Sequence, residues 1–146
     1  MAIGRLRSDP FRELQALYAG RIVPPPVVVE LDVRQRLPPD ILKAREAELI
    51  LAALPPGASL VALDERGAAW SSRDFADRLM AWRARSPDIA FAIGGAEGLG
   101  AAVFERAAAT LSLGPMTWPH RLVRGMLLEQ LYRAQQILAG HPYHRE

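Results

Sequence analysis

The stretch "FAIGGAEGLG" (91–100) decides how this chain is read. An apolar, β-type run stops at two glycines, and an acid, a further glycine and a small-residue segment follow. Together with Ile89 and Ala90 the run reads as a buried strand, and the segment from about 101 to 109 reads as a short helix. Strand, glycine turn and helix is a common way of holding a nucleotide-like ligand, so the turn poses the question of which ligand it suits.

Two familiar answers fail on chemistry. A phosphate-binding P-loop requires Gly-x4-Gly-Lys-Ser/Thr, and "GGAEGLG" has neither the lysine nor the hydroxyl. The dinucleotide fingerprint requires glycines at i, i+2 and i+5, and a set begun at Gly98 and Gly100 reaches Val103 instead. Glu97 stands where a phosphate would approach, which repels anions but tolerates a cation or a ribose hydroxyl. The turn therefore points away from polyphosphates. The plain alternative is that its glycines only let the chain turn and pack.

Outward from this turn, strands and helices alternate. "VVVELDV" (27–33), "SLVALD" (59–64), "IAFAI" (89–93) and "TLSL" (110–113) read as strands, after a very short first strand at Ala2-Ile3-Gly4. Ser8-Asp9-Pro10 opens a helix carrying Phe11, Leu14, Leu17 and Tyr18. Pro38-Pro39-Asp40 opens another, with Ile41, Leu42, Leu49, Ile50 and Leu54 expected inward. Ser72 is the expected cap of a third, with Phe75, Leu79 and Trp82 as its core stripe. A long amphipathic helix spans about 120–139, with Leu122, Val123, Met126, Leu127, Leu131, Ala134 and Leu138 on its apolar side, and Gly140 stops it. Continuous apolar strands alternating with helices predict an α/β fold with a mostly parallel sheet flanked by helices. In such sheets ligands sit at the carboxyl ends of strands, here Leu63-Asp64, Gly94-Gly95 and Leu113-Gly114.

The 146 residues suit a single domain, 1–146, and 50% hydrophobic residues supply its core. No cysteine is present, which excludes disulfides, zinc–thiolate sites and thiol catalysis. No secretory signal or transmembrane run is legible, so a cytoplasmic protein with no membrane partner is expected. The net charge is only +2, yet Lys43 is the sole lysine and the other basic side chains are arginines. Arginine suits phosphate and base contacts, although a genome biased toward arginine gives the same composition. Ser112 and His120 lack a third member for a hydrolase triad, and His141, His144 and Glu146 make a weak case for a metal site, so no metal is expected. The loop "LGPMTWPHRLVR" (113–124) is stiffened by Pro115 and Pro119, and Met116 and Trp118 can flank a flat ring. Such a loop can read an adenine edge, or its apolar residues can simply fill core.

Taken together, "FAIGGAEGLG", "LSLGPMTWPHRLVRGMLLEQLYRAQQI" and the terminal "HPYHRE" closely resemble the RlmH (YbeA) family of SPOUT methyltransferases, most strongly over 89–146. "VALDERGAAWSSRDFADRL" (61–79) also fits that family's pattern, whereas 1–58 matches mainly in element order. The resemblance implies an α/β sheet whose C-terminal part is tied in a deep trefoil knot, a feature that periodicity would not have suggested. It implies S-adenosylmethionine as cofactor, a homodimer with the active site at the interface, and N3-methylation of a pseudouridine in 23S rRNA of the assembled ribosome. Carried onto this chain, it implies that Leu63, Gly94, Gly95, Leu113, Gly114, Pro115, Met116, Thr117 and Trp118 hold the cofactor. The tail residues His141, Tyr143 and Arg145 would grip RNA, His144 would act as base, and Arg145 or Arg124 would offset negative charge. Family members usually begin with a fuller first strand, so the strand at residues 2–4 is expected to be truncated. Many have proline where Ala96 stands and leucine or a similar residue at Trp118, which here would narrow the adenine slot. The alternatives are a non-catalytic ribosome- or RNA-binding protein that keeps the knotted fold, or an unrelated nucleotide-binding α/β protein.

Overall fold

A computed structural model describes residues 1–7 and 10–143. Five strands form one sheet: β1 (Ala2–Ile3), β2 (Glu30–Leu31), β3 (Ser59–Ala69), β4 (Ile89–Ile93) and β5 (Ala109–Ser112). The helices are α1 (Pro10–Ala19), α2 (Pro39–Ala52), α3 (Ser72–Arg83), α4 (Ala101–Arg106) and α5 (His120–Leu138). The strand order is β2-β1-β4-β3-β5 and every pairing is parallel. Parallel neighbours need crossovers, which the intervening helices supply.

The sheet is covered on both faces, which is why its central strands read as continuous apolar runs. On one face Val61, Leu63, Phe91, Ile93 and Leu111 pack with Phe75 and Leu79 of α3 and with Leu127 and Ala134 of α5. On the other, Leu60, Ala62 and Ala92 pack with Ala47 and Ile50 of α2 and Val103 of α4. α1 lies along α5, where Leu14 sits so close to Gly125 that a Cβ there would be 2.4 Å from Leu14 Cδ2.

Several local expectations are corrected. The run 27–33 yields only Glu30–Leu31 as strand, because β1 offers only Ala2 and Ile3 for pairing. Val27 is instead exposed. The strand expected at 59–64 continues to Ala69 through a bulge, with Leu111 of β5 opposite both Leu63 and Ala68. Gly67 belongs to that bulge, and a Cβ on it would meet the backbone of Thr110 and Leu111 at 2.8 Å. Helix α3 is capped by Ser71 rather than Ser72: the Ser71 hydroxyl accepts from the Asp74 N–H, and the Asp74 carboxylate accepts from the Ser71 N–H. Ile41 faces solvent, because the buried side of α2 is Glu46, Ala47 and Ile50. Leu17 and Leu138, expected on apolar faces, are also exposed.

Leu127 and Leu128 of α5 are 5% and 6% exposed inside one chain. The breadth of that helix's apolar stripe is therefore met by the sheet, α1 and α3, and by itself calls for no partner.

Candidate functional site: a cleft at the carboxyl ends of three strands

The chain leaves β3, β4 and β5 at the same edge of the sheet, and the three exits wall one cleft of about 670 Å³. The first wall is the bulge after Leu63. There the Asp64 carboxylate accepts from the Arg66 backbone N–H and from its guanidinium, and these bonds hold the Asp64 carboxyl below the usual range.

The second wall is the glycine turn. Gly98 N–H donates to Gly95 O at 3.1 Å, and Gly98 has a φ of +76°, a region that favours glycine. A Cβ on Gly94 would lie 2.6 Å from the Gly98 carbonyl carbon, so the turn closes only with glycine at 94. Glu97 sits exposed at its tip.

The third wall is the loop from Leu113 to Pro119. Ser112 is buried as its anchor: its hydroxyl bonds Glu65 O and the backbone of Gly114. These bonds give Ser112 a structural role. The Thr117 hydroxyl donates to the Glu65 carboxylate, which fastens the loop to the bulge. Gly114 has a φ of +119°, so any L side chain there is strained. Met116 and Trp118 are 64% and 37% exposed and are not core-filling residues.

Of the residues expected to hold a cofactor, Leu63, Gly94, Gly95, Leu113, Gly114, Met116, Thr117 and Trp118 all line this cleft. Pro115 lies in the same loop but is exposed and off the lining. Lys43 of α2 and His120 and Val123 of α5 also line it, without having been singled out for it from the sequence. The only hint of Lys43 is that it is the sole lysine, while His120 reads as the start of a helix and as half of an incomplete Ser–His pair. His120 is held below its ordinary pKa by burial, with Arg124 and Arg121 adding to the effect, so it faces the cleft as a neutral imidazole at pH 7.

Arg124 is corrected. It is 3% exposed and tied by its guanidinium to Glu30 at 2.9 Å and to the carbonyls of Ile3 and Gly4 at 2.8 Å. It braces α5 against β1, and a guanidinium so engaged does not reach out to a phosphate or imide.

His141 and Tyr143 are not among the residues lining the cleft. The Tyr143 ring packs on Tyr132 with centroids 4.8 Å apart and lies beneath the Arg133 guanidinium, and its hydroxyl donates to Glu129 at 3.4 Å. The His141 ring nitrogen Nδ1 accepts from the Tyr143 N–H. The tail thus folds along the outer part of α5 as far as Tyr143. The expectations for His144 and Arg145 fall outside the described residues.

The family described as "Predicted SPOUT methyltransferase" matches residues 1–144. This chain belongs to the SPOUT methyltransferase family. Among curated SPOUT relatives, the Ribosomal RNA large subunit methyltransferase H of Rhodospirillum centenum is 59% identical over 145 residues, covering 99% of this chain and 95% of that protein. The protein of the same name from Paramagnetospirillum magneticum is 54% identical with the same coverage. Among solved structures, the SpoU methyltransferase AviRb from Streptomyces viridochromogenes in complex with AdoMet aligns at 19% identity and a TM-score of 0.42, over 74% of this chain and 37% of that one.

The cleft suits such a family. Leu63, Ile93, Leu111 and Val123 give it apolar walls, and the glycine turn shows neither phosphate motif. Among the described residues no group of His, Asp and Glu is placed to hold a metal, and no helix is long and apolar enough to cross a membrane.

Proposed function

We propose that this chain is an S-adenosylmethionine-dependent methyltransferase that modifies N3 of a pseudouridine in 23S rRNA of the assembled ribosome. The observation that carries the reading is the convergence of the glycine turn and the 113–118 loop on one apolar-walled cleft at the carboxyl ends of β3, β4 and β5. Full-length relatives that are named large-subunit rRNA methyltransferases support the substrate class.

The residues present fit this cofactor. Leu63, Gly94, Gly95, Leu113, Gly114, Met116, Thr117 and Trp118 would hold it, with Pro115 stiffening the loop. When bound, it supplies an electrophilic methyl group on a sulfonium. Met116 and Trp118 would flank its flat end, and the closed turn at Gly94 and Gly95 would keep the backbone close to it. N3 of pseudouridine is an imide nitrogen that carries its proton at neutral pH. The protein must therefore align that nitrogen and favour its anion. We assign the proton-accepting role to His144 and RNA contacts to His141, Tyr143 and Arg145, with Arg145 also offsetting the negative charge. Within one chain the described tail lies on α5 away from the cleft, so these roles go with a homodimer in which one protomer's tail completes its partner's cleft. Val23, whose N–H donates to Gln135, and Leu138 present apolar side chains to solvent near the end of α5, as such an interface requires. The threading of the C-terminal part as a deep trefoil knot belongs to the same proposal.

The deciding experiment incubates the protein with methyl-labelled S-adenosylmethionine and ribosomes lacking this methylation. Parallel samples use protein-free rRNA and ribosomes lacking pseudouridine. Label entering only pseudouridine-containing ribosomes is the expected result. Absence of both label and cofactor binding would favour instead a non-catalytic ribosome-binding protein. His144→Ala with normal turnover and normal ribosome binding would remove His144 as the base.

A further inference from the structure

One side chain of the cleft has chemistry that the roles above do not use. His120 opens α5 just beyond the loop that would hold the cofactor, and it lines the cleft together with Trp118 and Val123. The residue is half-buried, yet neither ring nitrogen has a hydrogen-bond partner among the described residues. Both nitrogens are accessible, so a donor and an acceptor stand unused on a cleft-lining ring. Nε2 lies 3.8 Å from where a Cβ on Gly4 would be, and glycine there leaves the nitrogen uncovered on that side. Burial, and then Arg124 and Arg121 of its own helix, keep the ring from protonating. Asp64, Glu65 and Arg66 of the bulge, Glu97 of the glycine turn and Lys43 of α2 line the same cleft. None of those three carboxylates is among the charges acting on the ring. At pH 7 it therefore offers one N–H and one bare nitrogen.

We propose that His120 donates a hydrogen bond to a carbonyl oxygen of the target imide, stabilising the anion that accepts the methyl group. The inference rests on the substrate reading above and adds to it a residue that touches the reacting base. N3 of pseudouridine lies between two carbonyl groups, and when its proton leaves, the charge spreads onto both oxygens. The in-plane pair of N3 then forms the new N–C bond, while the carbon–sulfur bond breaks and its pair stays on sulfur. The methyl group must therefore arrive along the line that the proton has left, and no protein group can remain there. The oxygens on either side stay open to a donor, and a fixed N–H at such a place stabilises developing charge. An unprotonated imidazole suits this work, because it gives its hydrogen bond without surrendering the proton to the anion. His120 keeps its N–H throughout, and the N3 proton goes to the base assigned above.

The test compares His120→Leu, which removes the donor, with His120→Gln, which keeps an N–H. Each is measured by single-turnover methylation at saturating ribosomes and by calorimetric titration with S-adenosylhomocysteine. The expected result is that His120→Leu slows methylation by about 10- to 100-fold, the usual cost of a lost donor to a charged oxygen. S-adenosylhomocysteine should bind it as it binds the wild type, which also shows that the variant is folded. His120→Gln should recover part of the rate. Because the rate rises as the imide ionises, the deficit of His120→Leu should narrow between about pH 7 and about pH 9, where His120 itself stays unprotonated. A slowing that is the same at every pH, or a loss of S-adenosylhomocysteine affinity that matches the loss of rate, would make His120 a packing or cofactor residue and overturn the inference. A wild-type chain that binds S-adenosylhomocysteine but methylates no ribosome would instead overturn the substrate reading, and this inference with it.

Discussion

The guanidinium of Arg124 donates to the carbonyl oxygen of Ile3 at 2.8 Å, joining the last helix to the first strand across 121 residues of sequence. The same nitrogen donates to Gly4 O, and the other terminal nitrogen meets Glu30. β1 is only two residues long, so this fork of bonds does for it what a longer ladder would do.

Arg124→Met should therefore destabilise strongly, by about 3–5 kcal/mol, because it leaves the Ile3 and Gly4 carbonyls without this donor and Glu30 without its countercharge, with only the Leu6 N–H still bonded to it. Arg124→Lys should fall between wild type and Arg124→Met, since a single ammonium cannot reproduce the fork. Urea denaturation of the three proteins checks the order. Wild-type stability in Arg124→Met would show that the brace is dispensable.

Gly125→Ala tests the contact between α1 and α5. Its Cβ would meet Leu14 Cδ2 at 2.4 Å and Cγ at 2.7 Å, so a loss of about 1–3 kcal/mol is expected from overpacking. Adding Leu14→Ala makes room and should return part of that loss. A double mutant less stable than the sum of the single effects would contradict this packing.

Glu46 gives a pH test with a definite sign. Burial raises its pKa above 4.5, and Glu97 and Asp32 raise it further. The folded state therefore holds the proton more tightly than the unfolded chain does. Its stabilising contribution is complete below about pH 4.5 and is lost as pH rises through the raised value. Glu46→Gln imitates the protonated form, so its melting temperature should exceed the wild type's at pH 8 and converge with it near pH 4. A gain that does not change with pH would mean that burial of the charge is not its source.

Gly94→Ala should disrupt the cleft itself. The added Cβ would stand 2.6 Å from the Gly98 carbonyl carbon and 2.9 Å from Leu99 N, and backbone cannot yield as a flexible side chain does. The turn must open, and binding of S-adenosylhomocysteine should fall by about a hundredfold or more, in line with the rate lost to a 1 Å misplacement elsewhere. Binding within a few-fold of wild type would show that the closed turn is not needed.

Much of this architecture was legible in the sequence, and the parts that were not have physical causes. β4 and the helices α3 and α5 were legible because burial on both sheet faces, or on one helix face, leaves a periodic apolar record. The valines at 27–29 carry the same signature, but a strand extends only as far as its partner, and β1 pairs at Ala2 and Ile3 alone. The bulge after Leu63 was hidden because Asp64, Glu65, Arg66 and Gly67 look like a turn, although β3 resumes at Ala68 opposite Leu111.

In the site, the glycine turn and the proline-flanked loop are contiguous and chemically unusual, so they stood out. Lys43 lies far away in sequence on a helix whose polar residues ordinarily face water. Nothing local marks Glu46 of the same helix as buried, because the fold brings its carboxylate beside Gly95, which is distant in sequence. Arg124 shows the opposite error, since an arginine beside a binding loop invites a ligand, while its neighbours in space are the carbonyls of β1.

The strand order β2-β1-β4-β3-β5 also governs how the chain comes into being. β1 has β4 as one of its neighbours, and its brace comes from α5, 121 residues further along the chain. Folding should be slow for a chain of this length, because its decisive contacts close very large loops.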